Sequence, residues 1–188
     1  YLGLLLQLQA LRNQERNLEA LDRNVKEARA LVEANQYSIL QRDQIDQQLG
    51  VMAKDADGLL DQIAQLNQAV SDAEAGGGRA NSLRDQRDAV IAQLSQYMDV
   101  TAVEQNNGAV NVLVGSTPIV LGSQSRGIEL QRRTENGTVV ASLNVKANGE
   151  QLSVSQGQLG SLLANRDGSI TDTIAKLDTL TSQIIFEV

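Results

Sequence analysis

The 188-residue chain carries 16 basic and 23 acidic side chains, a net charge of −7 that argues against a phosphate-backbone footprint. It has no histidine and no cysteine, which removes disulfides, thiolate chemistry, and the commonest general base and metal ligand. Aromatic residues make up 2% of the chain, so Leu, Ile, Val and Ala must build the core, a composition suited to helix seams and small sheets.

Tyr1 to Leu8 is the most apolar run, but Gln7 interrupts it, it is too short to span a bilayer, and it lacks a signal peptide's charged start and cleavage end. The pattern begins without Met and stops within a helical stripe at Val188, the expectation for a fragment. From Leu4 onward an apolar residue returns every seven positions: Leu11, Leu18, Val25, Val32 and Ile39. Charged residues from Arg12 to Glu27 fill the intervening face, which predicts a long amphipathic helix. The pattern weakens at Asn35 to Ser38, where a turn or bend is expected. Ile45, Leu49, Met52, Ala56, Leu59, Ile63, Leu66, Val70 and Ala73 then follow 4-3 spacing, a coiled-coil-like seam that needs partner helices. Gly50 and Gly58 lie inside it, each a cost of about 1 kcal/mol in a helix.

Gly76-Gly77-Gly78 breaks the helix, and a second one is expected from Arg79 to Met98. Ser82 is its expected cap, with Asp85 three residues on. Leu83, Val90, Ile91, Leu94 and Met98 form its apolar face. Arg84, Asp85, Arg87 and Asp88 are placed on the solvated face, with Arg84 and Asp88 as an i,i+4 pair. After Asp99 the period changes to two. Short strands are expected at Val100–Val103, Val110–Val114, Ile119–Leu121, Ile128–Arg132, Val139–Lys146 and Gln151–Val154, with Asn-Gly turns at 107–108, 136–137 and 148–149. They predict a small antiparallel sandwich or open barrel. Helical spacing returns at Gln158, with Leu159, Leu163, Ile170, Ile174, Leu177, Leu180, Ile184 and Val188 on one stripe and a break at Gly168-Ser169.

No catalytic constellation emerges. Asp55-Ala56-Asp57-Gly58 has its glycine too early for a calcium loop, Asn165 to Gly168 fails the same template, and the triple glycine lacks the Lys-Ser/Thr of a phosphate loop. Asp85 and Asp88 are the one carboxylate pair to weigh as an acid–base couple, and a hydrolase built on them needs a cleft free of arginine. Arg84 and Arg87 beside them favour salt bridges instead. The expectation is a chain with no cofactor, no metal, no nucleic acid, no membrane insertion and no small-molecule substrate.

Several stretches resemble the flagellar hook-associated protein 1 family, the hook–filament junction proteins. They are IAQLNQAV at 63–70, NSLRDQRDAVIAQLSQYMDV at 81–100, GAVNVLVGSTPIVLG at 108–122, GQLGSLLANRDGSI at 157–170 and IAKLDTLTSQIIFEV at 174–188. Asn67, Asn81, Leu83, Asp85, Arg87, Asp88, Gly157, Gly160, Arg166 and Asp167 fall on the family's motif positions. The resemblance implies an exported structural subunit of the bacterial flagellum that packs against copies of itself, hook protein and a second junction protein, without catalysis. It also implies that the family's extreme terminal segments lie outside this sequence. Residues 1–49 are similar to a periplasmic helix pair of TolC-type outer-membrane efflux proteins, which read as such a pair require a turn between two helices. The alternative function is therefore an efflux or type I secretion channel component. The expected fold is α+β: an elongated antiparallel helical bundle or coiled-coil body over 1–98, a β insert over 99–154 and a return helix over 155–188.

Overall fold

The computed structural model describes residues 2–135 and 138–168, the side chains of Leu2, Leu4, Leu5, Asn35, Ser38 and Thr138 excepted. The start of the heptad stripe at Leu4, the Asn136-Gly137 turn and the return-helix stripe beyond Gly168 therefore lie outside the described residues. The fold is α+β. Helix α1 runs Leu2–Glu74 and α2 runs Asn81–Tyr97. Strands follow at Val100–Glu104 (β1), Val110–Val114 (β2), Thr117–Leu121 (β3), Gln124–Ser125 (β4), Ile128–Glu135 (β5) and Thr138–Val145 (β6). A third helix, α3, begins at 157 and is described to 168.

The chain divides into two compact units, Tyr1–Gln41 with Ile170–Val188, and Arg42–Ser169. In the first, α1 continues without interruption through 35–38, where the sequence predicts a turn. The weakened apolar pattern there breaks no helix, because Asn35-Gln36-Tyr37-Ser38 contains neither Gly nor Pro. Leu11, Leu18, Val25, Val32 and Ile39 are exposed along it.

In the second unit one apolar cluster joins helices and strands. Leu49, Ala56, Leu60, Ile63, Leu94, Met98 and Leu159 meet Val112, Val114, Ile119, Val120, Ile128, Leu143 and Val145. The seam of α1 thus closes on strands as well as helices. Its phase also differs from the expectation. The column Leu49, Ala56, Ile63 and Val70 is fully buried as expected, but its companion is Asp46, Ala53, Leu60 and Asn67. Of the expected second column Leu59 is buried, while Ile45, Met52 and Leu66 are half-buried at the margin.

The strands form two antiparallel sheets, β1-β2-β3-β4 and β5-β6, in place of a barrel. Pro118 sits opposite a register shift between Val112 and Leu113, where a strand tolerates a missing N–H. The expected last strand shrinks to a bridge between Gln151 and Asn144, and the short β4 takes sixth place. The cap of α2 is a further correction. Ala80 occupies the N-cap with no side-chain cap bond, and Ala80 N–H donates instead to Glu74 Oε1 at 2.9 Å. Glu74, from the end of α1, thus brings to the start of α2 the carboxylate that Asp85 was expected to bring, and Ser82 lies inside the helix.

Candidate functional site

The motif residues resolve into three polar clusters, two of them buried beneath the aliphatic seam. At the first, Asn67 points from α1 into the end of the β2–β3 pair. Its Nδ2 donates to the carbonyls of Val110 at 2.7 Å and Gly122 at 2.6 Å, while its Oδ1 accepts the Val110 N–H at 2.9 Å. A primary amide carries a donor and an acceptor side by side, so it completes a ladder where the neighbouring strand has ended. Arg87, only 2% exposed, donates through Nη1 to the Gly108 carbonyl at 2.7 Å and to Asn67 Oδ1 at 3.3 Å. Its Nε lies 3.5 Å from Asp88 Oδ1. The sequence places Arg87 on the solvated face of α2; the structure buries it, because the carbonyl of the 105–109 turn offers a partner inside.

That turn depends on Gly108. Its φ is +80°, and an added Cβ would lie 2.7 Å from both Arg84 Nη2 and Glu74 Oε2. Those two groups form the second cluster. Arg84 donates Nε and Nη2 to the two Glu74 oxygens at 2.6 and 2.7 Å, and Nη1 to Glu104 Oε1 at 2.6 Å. This fork-to-fork pairing holds the Glu74 carboxyl down at about 2, and the Ala80 N–H adds to the effect. Glu104 is lowered by the same guanidinium. Arg84 therefore clamps the end of α1, the start of α2 and the end of β1; the expected Arg84–Asp88 pair is replaced by it.

The third cluster ties α3 to α1. Arg166 is 1% exposed and donates Nε to Asp46 Oδ1 at 2.5 Å and Nη2 to the Val139 carbonyl at 2.7 Å. Its Nη1 reaches Asp167 Oδ1 at 3.1 Å. Arg132 joins from β5, donating Nη2 to the Asp46 carbonyl at 2.9 Å. Gly157 and Gly160 permit the approach of α3: a Cβ at Gly157 would sit 2.6 Å from the Tyr97 carbonyl oxygen, and one at Gly160 2.8 Å from the Ser155 carbonyl carbon.

The remaining motif residues stand apart from these clusters. Asn81 and Asp85 are exposed on α2 and Leu83 is half-buried. Asp85 and Asp88 are both exposed on α2. The groove of about 640 Å³ between α1 and α2 is lined by Lys54, Asp55, Gln62, Gln93, Gln96 and Tyr97, with neither carboxylate among them. Sequence reasoning passed over Asp46 and Glu74, and weighed Asp57 only as part of a calcium loop. Asp57 Oδ1 accepts the Ile128 N–H at 2.9 Å, and Oδ2 pairs with Lys146. The signal for Asp46 was its phase, three residues before Leu49 and seven before Ala53. Among the described residues no group of three or more potential ligands is placed to hold a metal, and no helix is long and apolar enough to cross a membrane.

The family model described as the flagellar hook-associated protein FlgK helical domain matches residues 8–188. Among solved structures, the flagellar hook junction protein FlgK from Burkholderia pseudomallei is similar at 28% identity and a TM-score of 0.60. The likeness covers 72% of this chain and 26% of that one, so the chain spans about a quarter of the relative's length. No curated protein matches the chain. The family match starts at residue 8 and takes in nearly all of the run that is similar to efflux helix pairs. The turn that the efflux reading requires is replaced by continuous helix.

Proposed function

The chain belongs to the family of the FlgK helical domain, and on that premise we propose that it is a structural segment of a flagellar subunit at the hook–filament junction. It acts by packing and carries no catalysis. The observation that supports this most directly is the family match over 8–188, joined by the 28% identical hook junction protein. The clusters suit such a role. Asn67, Arg87 and Arg166 donate to carbonyl, amide and carboxylate oxygens inside one unit, which fixes how strands sit on helices. Its partners are further copies of the subunit, hook protein and a second junction protein, and its location is the extracellular flagellum.

Sedimentation with purified hooks tests the proposal. The chain is expected to pellet with hooks, and intact junction protein is expected to displace it. A chain that stays in the supernatant at every hook concentration contradicts the proposal.

A further inference from the structure

The fold holds two of the chain's Asn-Gly dipeptides, Asn107-Gly108 and Asn148-Gly149, in opposite ways; a third, Asn136-Gly137, lies outside the described residues. Asparagine before glycine is chemically labile. Glycine has no Cβ to hinder its backbone nitrogen, so that nitrogen can attack the asparagine side-chain carbonyl carbon, Cγ. The nitrogen must first shed its proton and the amide must turn toward it. Hydrogen bonds on either group oppose both changes, so reactivity follows how often the turn opens.

At Asn107 the turn is locked. Gly108 is buried; its N–H donates to the Gln105 carbonyl at 3.0 Å, and its carbonyl accepts from the buried Arg87 at 2.7 Å. Asn107 Oδ1 accepts the Ala109 N–H at 3.2 Å. Val70 and the Arg84–Glu74 pair crowd the same glycine. Opening this turn means breaking two of the polar clusters.

Asn148 is placed differently. Every residue from Lys146 to Gln151 is exposed, and an added Cβ at Gly149 would meet nothing. Gly149 N–H donates to the Val145 carbonyl at 2.8 Å and Glu150 N–H to Asn148 Oδ1 at 3.3 Å, while Asn148 Nδ2 donates to Glu150 Oε2 at 3.0 Å. One bond reaches the turn from the interior, Asn144 Nδ2 to the Gly149 carbonyl at 2.8 Å. A turn held mainly by its own exposed bonds opens far more often than one built into a core.

We propose that Asn148 is a site of spontaneous deamidation in the folded chain and that Asn107 is shielded from the same reaction. The Gly149 nitrogen gives its proton to water and bonds to Asn148 Cγ. The amide C–N bond breaks, and ammonia leaves with a proton taken from water. Water then opens the resulting cyclic imide at either carbonyl, giving aspartate or isoaspartate. Water enters, ammonia departs, and nothing is oxidised or reduced. The change is one-way and alters the turn. The bond from Asn148 is the main reason that the Glu150 carboxyl lies below its ordinary range, with Thr117 adding to it. A carboxylate in place of that donor repels Glu150, and isoaspartate lengthens the main chain by one methylene. The same turn brings Val145 N–H to the Glu150 carbonyl and Leu152 N–H to the Leu143 carbonyl, each at 2.8 Å, so the product loosens 150–152 from β6.

Peptide mapping by mass spectrometry tests this on the full chain, since Asn107 and Asn148 fall in different tryptic peptides. Each conversion adds about 1 Da. At about pH 8 the folded chain is expected to convert Asn148 at least about tenfold faster than Asn107. In about 8 M urea, where neither turn is held, the two rates are expected to agree within about threefold. Once converted, the wild type is expected to exchange the Val145 and Leu152 amides about tenfold faster, while Asn148→Gln, whose longer side chain closes the ring slowly, keeps them protected after the same incubation. A folded chain in which Asn148 does not convert, or in which Asn107 converts as fast, overturns the assignment. Unchanged exchange at Val145 and Leu152 after conversion overturns the loosening. None of these results bears on the flagellar reading.

Discussion

At the scale of single residues, Asn67, Arg87 and Arg166 sit in phase with an apolar stripe. Asn67 follows Leu60 and Ile63, Arg87 lies between Leu83 and Val90, and Arg166 follows Leu159 and Leu162. A polar group in that position stays only if every bond it loses to water is replaced. Asn67→Ala strips the Val110 N–H, the Val110 carbonyl and the Gly122 carbonyl of their partner, and is expected to cost about 3 kcal/mol in urea melts. Arg166→Met leaves Asp46 buried without its main partner and is expected to cost about 3–5 kcal/mol. Adding Asp46→Leu is expected to recover part of that loss, since it removes the stranded charge. Glu74 gives a pH signature. Its folded pKa of about 2 lies below the ordinary glutamate value, so the unfolded chain takes the proton first. The stability it contributes is complete above the unfolded pKa and is lost as pH falls toward about 2. The stability gap between wild type and Glu74→Gln is therefore expected to shrink steadily on acidification, as read by urea melts at stepped pH. A gap constant across that range would contradict the clamp.

At the scale of elements, the helices were legible in outline because periodicity and the triple glycine are local signals. The phase of the α1 face was not. Ile45, Met52 and Leu66 are large and apolar where Asp46 and Asn67 are polar and Ala53 is small, so bulk pointed to a flanking column of which only Leu59 is buried. Which column faces inward is decided by what covers it, and the cover comes from strands distant in sequence. The cap of α2 was hidden for the same reason: its carboxylate comes from another helix. Glycines separate by their surroundings. An added Cβ at Gly50 or Gly58 meets nothing, so alanine at either site is expected to raise stability by up to about 1 kcal/mol. Gly157 has a φ of +77° and backbone atoms within 2.7 Å of its virtual Cβ, so Gly157→Ala is expected to destabilise the junction of α2 and α3. Thermal melts by circular dichroism distinguish the two signs.

At the scale of the whole molecule, the alternating strands and Asn-Gly turns made the β region readable, and the family resemblance read from its motifs agrees with the match over 8–188. Less readable was how far strands and helices share a core. Alternation shows that one face of a strand is buried but not against what. The cluster that joins Leu49, Leu60 and Ile63 to Val112, Ile119, Leu143 and Val145 makes the β region part of the helical body within Arg42–Ser169. Removing one of its central side chains is therefore felt by helices and strands alike within that unit. Native-state amide exchange on wild type and Leu60→Ala tests this most directly. The slowest amides of α1 around Ile63 and those of Val112 and Leu143 are expected to share one opening free energy, and the substitution is expected to lower all of them by an equal amount, about 2–5 kcal/mol. Strand amides that keep their wild-type protection while those of α1 lose theirs would show two separate cores and contradict a shared one.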